Sequence, residues 1–161
     1  MIADEAAIES PLWAEALLPV DERRPVAVFS PLCPTRFALG LETIYEGYLL
    51  HYGRPRLFTP RDRHTTLLLG DYLYAHGLVR VAETRDVDAV ADLAALISRC
   101  AQLRAEQAAG DGEAWVATAA LLGRSPLASS TDPLDLKTLA AGAAGAEPVE
   151  RALALHRSHA G

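Results

Sequence analysis

Apolar residues along the segment from 61 to about 83 recur at helical spacing on two flanks. Leu68, Tyr72, Ala75, Val79 and Ala82 follow one another at steps of four and three, and Leu69, Leu73 and Tyr74 form the second flank. So wide an apolar surface is typical of a helix that the rest of the fold covers on most sides. The pattern predicts a central helix in which Asp71 is a buried acid, either a structural one bonded to a neighbour or an active-site acid.

Further helices are predicted on both sides of this segment. Ser10 can cap a helix with Pro11 in its first turn, and residues 35–52 form a core helix whose apolar positions keep steps of three and four. Between them, residues 26–29 are apolar and fit either a short strand or one to two helical turns. Periodicity over so few residues leaves both alternatives open.

The chain after the central segment also reads as helical. Asp86 or Asp88 can cap a helix whose core side includes Val90, Ile97 and Cys100, and which pairs with the preceding helix as an antiparallel hairpin over 61–109. A helix is expected at 113–122, a short helix capped by Asp132, a small-residue linker at 141–145, and a final helix opened by Pro148. That final helix carries Val149, Leu153 and His156.

Composition supports one all-α domain over residues 1–161, an antiparallel helical bundle. Half of the residues are apolar, Ala and Leu dominate, and β-branched and aromatic residues are scarce. A net charge of -6 gives no general attraction to nucleic acid. Cys33 and Cys100 are expected to be reduced, and no apolar run approaches a membrane span, so a soluble, cytoplasmic protein without a cofactor is expected.

The most cationic stretch lies at 53–64, between the two central helices. His51, Arg54 and Arg56 are the candidates there for binding an anionic ligand. The alternative is a solvated rim or a set of partners for nearby carboxylates, which is the more frequent role of clustered arginines. Neither His51 nor His64 has a carboxylate or cysteine at metal-ligand spacing, and no metal site is expected.

Familiar catalytic patterns do not occur in the sequence. It contains no glycine-rich phosphate loop, no Gly-x-Ser-x-Gly elbow, no His-Glu-x-x-His and no Cys-x-x-Cys. Asp86, Asp88 and Asp92 could bind a divalent cation, but acids at a helix start are explained by capping and the helix dipole.

Two motifs at a fixed interval resemble a known family. Residues 41–51 (LETIYEGYLLH) look like the helix before the first aspartate-rich motif of the trans-isoprenyl (polyprenyl) diphosphate synthases. Gly53-Arg54-Pro55 resembles the Arg-Arg-Gly-x-Pro loop of that family, and its interval to Gly70-Asp71-Tyr72-Leu73 equals the family's spacing. The likeness covers roughly residues 20–107 and implies a truncated isoprenoid-synthase-like bundle, with 124–161 outside it.

The residues that carry the family's chemistry are missing. In that family two aspartate-rich motifs hold Mg²⁺ on the diphosphate, whereas Tyr52 and Gly53 occupy the positions of the first aspartates here. Asp21 and Glu22 stand where the family has a cationic diphosphate grip, and like charges would repel that group. Prenyl transfer by this chain alone is therefore not expected.

Three functions follow as hypotheses. The first is a non-catalytic subunit or regulator that forms a homodimer, or a heterodimer with a catalytic polyprenyl synthase, through Leu69, Leu73, Val90 and Ile97, with Asp71 as a structural residue. The second is a binder of an isoprenoid or other apolar ligand whose anionic head meets His51, Arg54 and Arg56. The third is an enzyme of altered chemistry that uses Asp71, His51 and Tyr52.

Overall fold

The structure, a computed structural model, describes residues 1–124 and 131–160. Within these ranges the chain folds into eight packed α-helices and one 3-10 turn, Ser30–Leu32. The helices are α1 (Ile2–Glu9), α2 (Pro11–Glu15), α3 (Thr35–Tyr52), α4 (Arg63–Ala82), α5 (Val87–Ala105), α6 (Asp111–Leu121), α7 (Pro133–Ala144) and α8 (Ala146–Ala160). The prediction of an all-α fold is confirmed.

Side-chain caps start several of these helices where turn chemistry predicts them. Ser10 accepts a hydrogen bond from the Leu12 amide, and Asp86 accepts one from the Ala89 amide. Asp132 accepts from the first amides of α7, which begins at Pro133. A polar side chain satisfies amide groups that the first helical turn leaves without an intrahelical partner, so these starts are set locally.

Helices α3 and α4 form the most extensive pair in the fold and run antiparallel. Four glycines allow this close approach, since Gly40 faces Gly77 and Gly47 faces Gly70 across the contact. A methyl group on Gly77 would lie 2.8 Å from the Gly40 carbonyl oxygen, and one on Gly47 would lie 2.8 Å from that of Gly70. At these positions the backbone of one helix therefore lies directly against the backbone of the other.

Two apolar clusters fill the interior. The larger is centred on Trp115 of α6, with the Phe29 ring stacked on it at 5.0 Å between centroids and Tyr45 against its edge at 5.1 Å. The smaller lies where α1 and α2 cover the other side of α4. It contains Ala6, Ala16, Leu50, Leu57, Phe58, Leu69 and Leu73.

Some predicted elements differ from the structure. Residues 26–29 form neither strand nor helix but an irregular segment that enters the 3-10 turn. The helix Ile2–Glu9 was not predicted, because its apolar residues keep no clear period. Residues 141–144, predicted as a linker, continue α7, since small residues such as Ala favour a helix as much as a loop. The final helix begins at Ala146, before Pro148.

Candidate functional site

A buried ionic cluster lies beneath the irregular segment and joins it to α3. Arg56 donates from Nε to Glu46 Oε2 at 2.9 Å and from Nη1 to Glu42 Oε2 at 2.8 Å. All three residues are less than 10% exposed. Glu42 and Glu46 are four apart on α3 and thus share a face, and the loop after α3 brings Arg56 back between them.

The remaining carboxylate oxygens of this cluster accept backbone amides. Glu42 Oε1 accepts hydrogen bonds from the amides of Val28, Phe29 and Ser30 at 2.8–2.9 Å. Glu46 Oε1 accepts hydrogen bonds from the amides of Arg56 and Leu57, each at 2.8 Å. The cluster thus fixes two segments that lack helical hydrogen bonds, a sufficient structural reason for two charged residues inside an apolar helix.

Arg56 is consequently not part of an anion site. Burial acts to lower the pKa of its guanidinium, but the charges of Glu46 and Glu42 outweigh burial and raise that pKa above its ordinary value. Its side chain is 3% exposed, and both carboxylates compete with any ligand. The structure thus places Arg56 in a buried pair with Glu46 and Glu42, which lie 10 and 14 residues upstream, and not at an exposed position where an anionic head would meet it.

The other two predicted anion ligands have protein partners as well. The Arg54 amide donates to the His159 carbonyl at 2.8 Å, and its guanidinium donates to the Ser158 carbonyl. His51 lies on the opposite side of α3, packed against Tyr74 with 5.1 Å between ring centroids. The structure therefore does not gather His51, Arg54 and Arg56 around one site.

Asp71 is exposed, not buried as the sequence predicts, with 72% of its side chain accessible. Its Oδ1 lies 3.1 Å from Nε2 of His51, so it approaches α3 from the surface of α4. The buried residue of this motif is Gly70, where a methyl group would lie 2.6 Å from the same His51 nitrogen. Asp71, His51 and Tyr52 form no enclosed catalytic group, because the acid faces solvent.

A second polar cluster joins four helices, α3, α5, α6 and α8. Arg104 Nη2 lies 2.7 Å from Asp111 Oδ2, and His156 Nε2 lies 3.4 Å from the same oxygen. Tyr48 donates its hydroxyl to Asp111 and accepts from Arg104 Nε at 3.1 Å. Tyr45, next to it on the same face, meets Nδ1 of His156 at 3.1 Å.

Electrostatics make Asp111 the anionic centre of this second cluster. Burial would raise the pKa of its carboxyl, but hydrogen bonds from His156 and Tyr48, with the charge of Arg104, lower the pKa well below its ordinary value. Burial and the neighbouring carboxylate raise the pKa of the Tyr48 hydroxyl, which stays protonated. Asp111 was not singled out from the sequence, where an acid in the first turn of a helix is explained by the helix dipole alone.

Helix α4 turns a different face to the interior than its pattern suggests. Leu69, Gly70, Leu73, Gly77 and Val81 are its buried residues. Leu69 and Leu73, predicted as part of a dimer surface, are completely buried in the smaller cluster and are not available for that role. Val90 and Ile97, also predicted there, are half-buried and pack against the larger cluster.

The apolar stripe that begins at Leu68 faces outward. Leu68 and Val79 are each 57% exposed, Ile8 of the neighbouring α1 is 85% exposed, and Tyr72 is half-buried. Ile8, Tyr72 and Val79 line a shallow groove of about 400 Å³ between α1 and α4, together with charged residues of both helices. Leu68, Tyr72, Val79 and Ile8 are called the α1–α4 surface below.

The described residues contain no group of three His, Cys, Asp or Glu side chains placed to hold a metal ion. Asp86 caps α5 as its position predicts.

No helix within 1–124 and 131–160 combines the length and the apolar character that crossing a membrane requires.

Comparison of the chain with protein-family models, with curated proteins and with solved structures gives no match in any of the three.

Proposed function

We propose that this chain is a non-catalytic helical subunit that acts by association, with a polyprenyl diphosphate synthase or with a second copy of itself. The observation that carries the proposal is the α1–α4 surface. It groups three aliphatic side chains that are more than half exposed along two adjacent helices. Contiguous exposed apolar patches mark interaction sites more often than scattered single residues do.

The spacing on α4 suits a helical partner. Its outward apolar positions recur at alternating steps of four and three, which is the spacing of a helix that packs lengthwise against another helix. These positions are Leu68, Tyr72, Ala75, Val79 and Ala82. Glu9 and Glu83 are exposed beside the α1–α4 surface and supply the polar rim that is typical of interfaces. Burial of apolar area contributes roughly 25 cal/mol per Å², so covering this surface with a partner helix would stabilise the complex.

The choice of partner rests on the resemblance of residues 20–107 to polyprenyl synthases. Its best marker is Gly70-Asp71-Tyr72-Leu73, and the locations of Gly70, Tyr72 and Leu73 support this choice. Gly70 admits α3, Leu73 fills the smaller cluster, and Tyr72 lies on the outward side. The motif thus combines an inner packing side with an outer side that a partner can cover.

The test is co-expression with a complete polyprenyl synthase that retains both aspartate-rich motifs, taken from the same genome. We expect the two chains to co-purify as a complex of defined mass, and the length of the prenyl product to change. Val79→Glu places a charge at the centre of the α1–α4 surface and should abolish both effects. Leu134→Glu is the matched control, because Leu134 is 71% exposed on α7 and lies away from that surface.

Association with itself is measured on the isolated chain by light scattering over a range of concentrations. A dimer that Val79→Glu dissociates and Leu134→Glu preserves would support the homodimer. A monomer at all concentrations, with no co-purification and no change of product length, would rule out the proposal. Equal effects of both glutamate substitutions would remove the α1–α4 surface as its location.

A further inference from the structure

A second, partly open cavity lies under the start of α1, beside the ionic cluster of Glu42 and Arg56. It has a volume of about 340 Å³, and its walls are mostly apolar, with Ile2, Val26, Leu39 and Leu57 among them. Pockets that bind small molecules in proteins start at about 300 Å³ and are lined in this way. Four segments build it: α1, the irregular segment, α3 and the loop that follows α3.

The inner end of the cavity is formed by Glu42 and Arg56, each less than 10% exposed. Both oxygens of Glu42 are already occupied, Oε1 by three amides and Oε2 by Arg56. A carboxylate offers about four acceptor positions, so Glu42 has little capacity left for a cationic ligand. With Glu46 behind it, the cluster has a formal charge of -1, which also repels an anion from this inner end.

The outer end carries Arg23 and Asp4. Asp4 accepts from the amino group of Met1 at 2.6 Å, and that group lowers the pKa of its carboxyl. Half-buried Arg23 donates from Nε to the Leu18 carbonyl at 2.8 Å, and within the described residues its two Nη groups have no hydrogen-bond acceptor. Arg23 thus retains free donors at the cavity wall, beside the amino group of Met1 and the Asp4 carboxylate, whose pKa the charge of Arg23 also lowers.

We infer that this cavity binds a small amphiphile with an apolar tail and a single carboxylate head. The tail occupies the space between Leu39, Val26 and Leu57, and the head lies at the outer end on the Nη groups of Arg23. Guanidinium and carboxylate form paired, charge-assisted hydrogen bonds of matching geometry, which favours a carboxylate over a neutral polar head. The orientation follows from charge, because the inner end is saturated and net negative.

The probe is octanoate, titrated by isothermal calorimetry below its micelle concentration. Two ligands with the same tail separate the contribution of the head: 1-octanol, which is neutral, and octyltrimethylammonium, which is cationic. We expect saturable binding of one octanoate per chain, affinity at least about tenfold weaker for 1-octanol, and the weakest binding for the cation. Nuclear Overhauser contacts from the octanoate tail should reach the methyl groups of Leu39 and Leu57.

Three variants test the named residues. Arg23→Gln should weaken octanoate about tenfold and leave 1-octanol unchanged, since only the head interaction is lost. Arg24→Gln is the matched control, because the guanidinium of Arg24 donates to the carbonyls of Asp21 and Arg23 and does not line the cavity. Leu39→Trp should fill the space and abolish binding of all three ligands.

Absence of saturable octanoate binding at millimolar concentration would overturn the site. Octanoate affinity that Arg23→Gln leaves unchanged, or that octyltrimethylammonium equals, would overturn the assignment of the head. If Leu39→Trp does not fold, the Overhauser contacts alone decide where octanoate binds. Contacts from octanoate only to the α1–α4 surface would place the ligand there and refute the inference.

Discussion

Gly40 and Gly77 face each other where α3 and α4 cross, and neither position has room for a side chain. A methyl group on Gly77 would lie 2.5 Å from Cγ1 of Ile44, well inside van der Waals contact. Together with Gly47 and Gly70, this pair of glycines allows α3 and α4 to approach closely.

Gly77→Ala should lower the free energy of unfolding by about 1–3 kcal/mol, because the new methyl group must push α3 and α4 apart. Urea unfolding followed by circular dichroism measures the change. The matched control is Gly142→Ala on α7, where nothing lies within 4 Å of the added methyl group. That substitution should stabilise the chain by up to about 1 kcal/mol, since Ala favours a helix more than Gly does. Equal effects at both positions would contradict the close contact.

Arg56→Met should destabilise the chain by about 3–5 kcal/mol, because it leaves Glu42 and Glu46 buried without a counter-charge. Arg54→Met, two residues upstream, is the control and should cost about 1 kcal/mol or less, since Arg54 is exposed. The same unfolding measurement serves for both. A small loss for Arg56→Met would show that the carboxylates are protonated or solvated, in conflict with the cluster as described.

Asp111 should make the stability of the chain depend on pH in the acid range. The second cluster holds the pKa of its carboxyl in the folded state below the ordinary value of 3.8. A group with a lowered folded pKa contributes stability that is present above pH 3.8 and is lost as pH falls toward the folded pKa. Asp111→Asn should therefore destabilise strongly at pH 7, and the difference from the unsubstituted chain should shrink steadily as pH falls below 3.8. Thermal unfolding of both proteins over this range is the measurement, and a pH-independent difference would refute the assignment.

The two thiols should be nearly unreactive in the folded chain. Burial raises the pKa of Cys100 to about 12 and that of half-buried Cys33 to about 11, and the thiolate is the reactive form. With Ellman's reagent at pH 8 we expect Cys33 to react slowly and Cys100 only after unfolding in urea. Rapid reaction of Cys100 without denaturant would mean that the core around Trp115 opens readily.

Helices α3 and α4 show how much of the fold can be predicted from the sequence. The bounds of α3 follow from Pro34 and Gly53 on either side of a regular apolar period, and the structure has them at the predicted residues. On α4 each bound is right to within two residues, but the predicted buried side is not. Two apolar flanks of similar strength compete on this helix, and the glycines that select the inner one have no side chain for a hydrophobic pattern to detect.

Arg56 shows that the partner of a buried charged residue is equally hard to predict from the sequence. A cluster of arginines in a loop is usually solvated, and nothing near Arg56 in sequence marks it as different. The signal lies on α3, where Glu42 and Glu46 share one face of an otherwise apolar helix and need a cationic partner. Pairing across a loop is decided by the fold, so the residue that neutralises them could be found only in three dimensions.

The all-α class, the caps at Ser10 and Asp132, and the extent of the longest helices follow from the sequence alone, because these depend on neighbours within a few residues. At the start of α5 the sequence allows Asp86 or Asp88 as the cap, and the structure selects Asp86. The tertiary structure decided which side of α4 is buried, where Arg56 and Asp71 lie, and that a cavity forms between α1 and α3. Those properties depend on contacts between residues far apart in the chain, where packing and desolvation outweigh local preference.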